Sequence, residues 1–152
     1  MKKLTLLILL LFFSSTAYSV AYYGGSGNKS EYRVYGNLEN GVMRSLTLYP
    51  KKFETITQSV KINPASYGKY IYFSIYVEAT KVIGWAGLWM RLENSNDKTI
   101  GFDNMRKKPI TGTSGWIRYT NKLYVPKEAR TLVYGVLLSG AGKVRVRDYY
   151  LR

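Results

Sequence analysis

Lys69-Tyr-Ile-Tyr-Phe-Ser-Ile-Tyr-Val-Glu-Ala79 decides the fold class. Ile71, Phe73, Ile75 and Val77 fall on one side of a two-residue period, and Tyr70, Tyr72, Ser74, Tyr76 and Glu78 fall on the other. That is the period of a pleated strand, whose successive side chains point to opposite faces; a helix needs apolar residues three and four apart. The aliphatic side belongs in a core and the tyrosines on the opposite face. The division recurs in Trp85–Glu93, where Ala86, Leu88, Met90 and Leu92 oppose Trp85, Gly87, Trp89, Arg91 and Glu93. In Trp116–Val125, Ile117, Tyr119, Leu123 and Val125 oppose Trp116, Arg118, Lys122 and Tyr124. Alternation in the last run sets Val144, Val146, Asp148 and Tyr150 against Arg145, Arg147, Tyr149 and Leu151.

Working outward, the remaining β-branched and aromatic runs put strands at Tyr32–Tyr35, Ser45–Tyr49, Glu54–Ile62, Lys98–Phe102, Thr131–Leu138 and Lys143–Leu151. Turn residues separate them at Asn37–Gly41, Asn63-Pro64, Asn94–Asp97, Pro109–Gly115, Pro126 and Ser139–Gly142. Short strands with turn signals at intervals of about ten residues define an all-β sandwich or barrel. No internal repeat and no linker divides the run, so residues 31–152 are expected to form one domain.

Four blocks narrow this class: Gly84-Trp-Ala-Gly-Leu-Trp-Met-Arg-Leu92, Ile100-Gly-Phe-Asp-Asn-Met105, Thr111-Gly-Thr-Ser-Gly-Trp116 and Val133-Tyr-Gly-Val-Leu-Leu-Ser-Gly140. In this order and spacing they resemble a bacterial β-sandwich module of the galactose-binding-like, carbohydrate-binding-module type. The resemblance runs from Thr57 to Arg152, and its most specific part is Phe102-Asp-Asn-Met105 followed by Pro109-Ile110, Gly112-Thr113 and Trp116. It implies an all-β jelly-roll β-sandwich of two antiparallel sheets and a non-catalytic accessory role. The expectation is of such a module standing alone behind an export signal.

Met1-Lys2-Lys3, an apolar run from Leu4 to Phe13 broken only by Thr5, and Ser14-Ser-Thr-Ala-Tyr-Ser-Val-Ala21 have the three regions of a secretory signal peptide. Small residues at the −3 and −1 positions place cleavage after Ser19 or Ala21. Residues 1–19 are thus expected to be the signal and residues 20–30, rich in Gly, Ser and Asn, a flexible leader. The apolar run is about half the roughly 20 residues of a spanning helix, so no membrane span remains after cleavage. No Cys follows it for lipid attachment. The expected location is secreted or periplasmic.

The chain has no Cys and no His. Disulfides, thiolate metal sites and cysteine nucleophiles are excluded, and the commonest general base and zinc ligand is missing. Serines therefore lack a histidine base. Glu54, Glu78, Glu93 and Asp97 show no spacing that selects a glycosidase pair, which needs carboxyls about 5–9 Å apart across a cleft. No catalytic residue, metal or cofactor is assigned. Sandwiches of the resembled type often hold calcium near a Val-x-x-Asp-Asp ending; here it reads Val144-Arg-Val-Arg147-Asp148, and the guanidinium repels a cation that needs six to eight oxygens. Excess chelator is accordingly expected to leave the melting temperature unchanged.

Removing Lys2 and Lys3 from a formal charge of +14 leaves +12 on the mature chain. Such an excess attracts polyanions through a salt-screened field, and it also serves solubility. Aromatic rings can stack on sugar rings while Arg and Lys bond carboxylates or sulfates. Tyr72, Tyr76, Trp89, Arg91, Arg118 and Lys122 are the candidate lining of such a surface. Asp103, Asn104 and Arg106 form a second candidate group on a loop, where Asp103 and Asn104 either present oxygens to a ligand or fold back onto backbone amides. The expected partner is a glycan or anionic polysaccharide. A protein partner is the alternative, since Tyr and Trp also dominate protein interfaces. Nucleic acid ranks last, because no OB-like or helix-turn-helix pattern is visible.

Overall fold

The computed structural model describes residues 32–46 and 53–152. The expected signal peptide, its expected cleavage bonds, the expected leader and the expected strand beyond Leu46 lie outside the described residues. The elements are β1 (Tyr32–Tyr35), β2 (Val42–Ser45), β3 (Phe53–Lys61), a 3-10 turn (Pro64–Ser66), β4 (Tyr70–Glu93), β5 (Thr99–Asp103), β6 (Ile110–Tyr124) and β7 (Thr131–Leu151). Every pairing is antiparallel.

Two strands organise the molecule. β4 and β7 pair along almost their whole lengths, from Phe73↔Leu151 to Glu93↔Thr131, and both bend in the middle. Beyond the bend on one side, residues 70–77 of β4 lie between β6 and the end of β7; the same half of β7 pairs with β2, and β2 pairs with β1. On the other side, residues 86–93 lie between β5 and the start of β7, which pairs with β3. The two halves fold face to face as an open β-sandwich of jelly-roll type.

Gly84 and Gly140 stand opposite each other at the bend, with φ of 101° and 92°. A Cβ on Gly84 would collide with the Ser139 carbonyl, and one on Gly140 with the Ile83 carbonyl. Because both residues reach the left-handed region without a Cβ penalty, the ladder turns the corner without ending. This corrects the expectation of separate strands at Lys69–Ala79 and Trp85–Glu93, and at Thr131–Leu138 and Lys143–Leu151. Ser139–Gly142 is not a turn but part of β7. Likewise β6 starts at Ile110, paired with Ala86, so most of the expected Pro109–Gly115 turn is strand. β2 lies at Val42–Ser45, ahead of the expected Ser45–Tyr49, because the preceding turn closes tightly: Gly36 has φ 74° and the Glu39 amide donates to Asn37 Oδ1 at 2.8 Å.

The core lies between the layers. Phe73, Ile75, Val77, Leu88, Met90, Leu92, Leu132 and Leu138 are fully buried, each stabilising the fold by about 1.5–3 kcal/mol relative to exposure. Tyr134 joins the layers: its ring lies 5.0 Å from Phe73 and 6.1 Å from Tyr149, and its hydroxyl donates to Gln58 Oε1 at 3.0 Å. Alternation holds well in β4 and fails at two places elsewhere. Ile117, assigned to the core side, is 45% exposed on the edge strand β6. In β7 the register shifts between Tyr76↔Arg147 and Ser74↔Tyr150, with Asp148 at φ 53°, which marks a bulge. Tyr149 and Leu151 therefore turn inward, and Tyr150 joins the arginine side, the reverse of strict alternation.

Candidate functional site

The outer face of the β6–β4–β7 layer carries the aromatic and basic side chains. Antiparallel register places Tyr70 beside Tyr124, Tyr72 beside Lys122, Ser74 beside Thr120 and Tyr76 beside Arg118. On the other flank Arg152 lies by Tyr72, Tyr150 by Ser74, Arg147 by Tyr76 and Arg145 by Glu78. Two stations result. In one, Lys122 Nζ is 4.6 Å from the Tyr70 ring centre and 6.0 Å from Tyr72, with the Arg152 guanidinium 5.2 Å from Tyr72. In the other, Arg147 is 4.3 Å from Trp116 and 5.9 Å from Tyr76, and Arg145 is 5.2 Å from Trp116. Between them the Ser74 and Thr120 hydroxyls are bonded at 2.8 Å. At exposed sites each ring–cation contact is worth about 0.5–1 kcal/mol, enough to bias where a long side chain rests.

Carboxylates near these cations are few among the described residues. Arg145 donates to Glu78 Oε2 at 2.9 Å, and Arg147 Nε is 3.5 Å from Asp148 Oδ2. The face is thus positive on balance.

The structure gathers Tyr72, Tyr76, Arg118 and Lys122 on this face and puts Trp89 and Arg91 elsewhere. Those two lie on the outer face of the other layer, because Leu88, Met90 and Leu92 point into the core between the halves. There Arg91 rests 5.8 Å from the Trp89 ring and pairs with Glu93 at 2.7 Å. Leu137 is buried on the same outer face, outside the core cluster. Trp89 Nε1 and Arg91 Nε are buried without a hydrogen-bond partner.

Asp103 and Asn104 spend side-chain oxygens on the turn they occupy. Asp103 Oδ1 accepts from the Met105 amide at 2.7 Å and from Asn121 Nδ2 at 3.3 Å, while Asn104 Oδ1 accepts from the Arg106 amide at 3.2 Å. Arg106 lies 5.8 Å from the Trp85 ring, on the Trp89 side of the sandwich. Sequence reasoning put Trp116, Arg145 and Arg147 on a non-core face without nominating them; the antiparallel pairing of β7 with β4 supplies the missing step. Tyr150 and Arg152 required the bulge.

A shallow groove of about 390 Å³ opens at the β3 edge, lined by Glu39, Gln58, Val60, Tyr134, Tyr149, Tyr150 and Leu151. Gln58 already accepts from Tyr134 there. Glu54 lies further along β3 on its inward side, and burial holds its carboxyl above the usual value of 4.5. Among the described residues no group of three or more His, Cys, Asp and Glu is placed to hold a metal ion. No helix among them is long and apolar enough to cross a membrane.

No protein-family model matches the chain. It is 38% identical over 93 residues to an uncharacterized HTH-type transcriptional regulator, YbfP, of Bacillus subtilis (strain 168), covering 61% of this chain and 31% of the regulator. The chain therefore spans about a third of that curated relative. Among solved structures, a family 16 carbohydrate-binding module superposes with a TM-score of 0.53 at 12% identity, covering 80% of this chain and 86% of the module. A chain of the accessory secretory protein 1, 2 and 3 structure from Streptococcus pneumoniae gives 0.53 at 9% identity, covering 89% and 94%. The enzymatically active domain of bacteriophage CBA120 tailspike protein 4 gives 0.57 at 14% identity, over 74% of this chain and 15% of that one. These likenesses establish the fold: an all-β open sandwich that distantly resembles carbohydrate-binding-module domains.

Proposed function

We propose that this chain is an exported, non-catalytic binding module that recognises a glycan or another anionic surface polymer through the outer face of the β6–β4–β7 layer. The observation that carries the reading is the two-station array, Lys122 and Arg152 about Tyr72 and Arg147 and Arg145 about Trp116. It is spread along β4 from Tyr70 to Tyr76, a length suited to an extended polymer rather than to a small substrate. Two of the four acids considered for a glycosidase pair are engaged in ion pairs, Glu78 with Arg145 and Glu93 with Arg91. Export rests on the signal-like residues 1–19 and makes polymers of the envelope or of surrounding cells the accessible ligands.

The test is a glycan array carrying neutral and acidic polysaccharides and lipopolysaccharide, read in low and in physiological salt. Selective binding that persists in physiological salt is the expected result. Uniform loss with salt turns the charge into a non-specific attraction. Silence on the array favours a protein partner, for which the outer face of the other layer, where Trp85 and Trp89 lie beside arginines with exposed Phe102 nearby, is the specific structural support.

A further inference from the structure

The rings at the centre of the two stations, Tyr72 and Trp116, are not bare. Tyr72 lies between Lys122 and Arg152, and Trp116 has Arg145 and Arg147 over it at 5.2 and 4.3 Å. A pyranose that stacked on either ring would have to displace a cation and find room for it on a surface already crowded with positive charge. An anionic group approaching the same point would instead meet guanidinium and ammonium donors already held in place. A ring beneath a guanidinium restricts its orientation while leaving its N–H edge free to bond a carboxylate, sulfate or phosphate oxygen. Tyr72 and Tyr76 are four residues apart on one strand, which separates the two stations by about 13 Å. The hydroxyl pair Ser74 and Thr120 lies in between and offers neutral hydrogen bonding.

We infer that the face selects its ligand by negatively charged groups spaced along a linear polysaccharide, with the aromatic rings orienting the cations rather than stacking on sugars. This inference rests on the glycan reading above and narrows it. It requires that a neutral polymer of the same backbone bind poorly, and that single cations at either station matter more than equal charge elsewhere.

Two matched pairs of probes test it by titration calorimetry in physiological salt: polygalacturonate against the same polymer with its carboxyls reduced, and dextran sulfate against dextran. Arg147→Gln and Lys122→Gln probe the two stations, and Lys98→Gln, on the β4–β5 turn of the other layer, removes one charge away from the face. The expected result is that at least one anionic polymer binds about tenfold or more tighter than its neutral partner. Each station variant should lose about tenfold, with Lys98→Gln nearly unchanged. A preference for only one anionic polymer supports the inference and identifies the charged group as carboxylate or sulfate. Equal binding of neutral and anionic members overturns it while the glycan reading stands. Equal losses in Arg147→Gln and Lys98→Gln also overturn it, since net charge alone would then explain binding. If none of the four polymers binds, the glycan reading itself fails. Both station residues are exposed, and unchanged melting temperatures in their variants would show that folding is intact.

Discussion

Asn121 of β6 donates from Nδ2 to Asp103 at the end of β5, 3.3 Å from Oδ1 and 3.4 Å from the backbone oxygen, and so ties the two layers together across their open edge. Asn121 is 7% exposed and faces inward opposite Phe73, where no strand-to-strand ladder joins β6 to β5. The same carboxylate closes the turn through Met105. Asp103→Ala leaves a buried amide without this partner and opens the turn, at a cost of about 1–3 kcal/mol. A fall of several degrees in Tm, with polymer affinity unchanged where the protein is folded, is expected. Unchanged Tm with lost binding would assign Asp103 to the ligand instead.

The bend at Gly84 and Gly140 should tolerate side chains poorly. A side chain at either position carries a left-handed φ penalty of about 1–2 kcal/mol and meets a carbonyl of the opposing strand as well. Gly84→Ala or Gly140→Ala is expected to destabilise by about 3 kcal/mol or more, read by urea unfolding. Gly112 has a positive φ of 70° but open space around its Cβ position, so Gly112→Ala should cost only the conformational part. Equal effects at Gly84 and Gly112 would show that the close approach is unimportant.

The period of two was enough to read the strands and the core side of β4, because burial on one face leaves a regular mark in sequence. Ile71, Phe73, Ile75, Val77, Leu88, Met90 and Leu92 are all buried. What alternation lacks is the relation between strands. Trp89 and Tyr72 each occupy the non-core side of β4, yet the bend between them sends one side to each exterior of the sandwich. Strict alternation sets Tyr150 opposite Arg147, and the extra residue at Asp148 reverses the faces and brings the two to the same side. Gly140 and Gly142 look like a turn in sequence and serve as a corner within a continuous ladder. Four of the six residues nominated for one surface, Tyr72, Tyr76, Arg118 and Lys122, do share a face, while the place of the β7 arginines beside them is visible only through pairing.

Glu54 provides a pH test. Burial raises its carboxyl above 4.5, so the folded state holds the proton more tightly than the unfolded chain. Its contribution favours folding at acid pH and is lost as pH rises from the unfolded value through the raised folded value. At pH 7 the charged carboxylate is a small cost, discounted by its contact with water. Glu54→Gln should stabilise at pH 7 by a few tenths of a kcal/mol, on the order of 1 °C in Tm. The advantage should shrink as pH falls below the unfolded value. Thermal melts of both proteins across pH 3–8 provide the measurement, and a benefit that grows toward acid pH would contradict the assignment.

Glu78 sets how much of the positive face is available. Its carboxylate accepts from Arg145 at 2.9 Å, and that arginine also lies over Trp116 in the second station. A partly exposed pair of this kind contributes about 0–1 kcal/mol, so Glu78→Gln should lower Tm only slightly. Its larger effect concerns ligand. The variant releases Arg145 and removes the carboxylate that repels an incoming anion, and both changes favour an acidic polymer. Affinity for the anionic probe should rise about two- to fivefold, and its fall with salt should steepen as another cation enters the contact. A weaker complex with preserved Tm would mean that Glu78 bonds the ligand directly or that Arg145 must be held by it to be useful. An Arg145→Gln background separates these: direct bonding predicts that Glu78→Gln weakens binding there as well, whereas a role through Arg145 predicts no further loss.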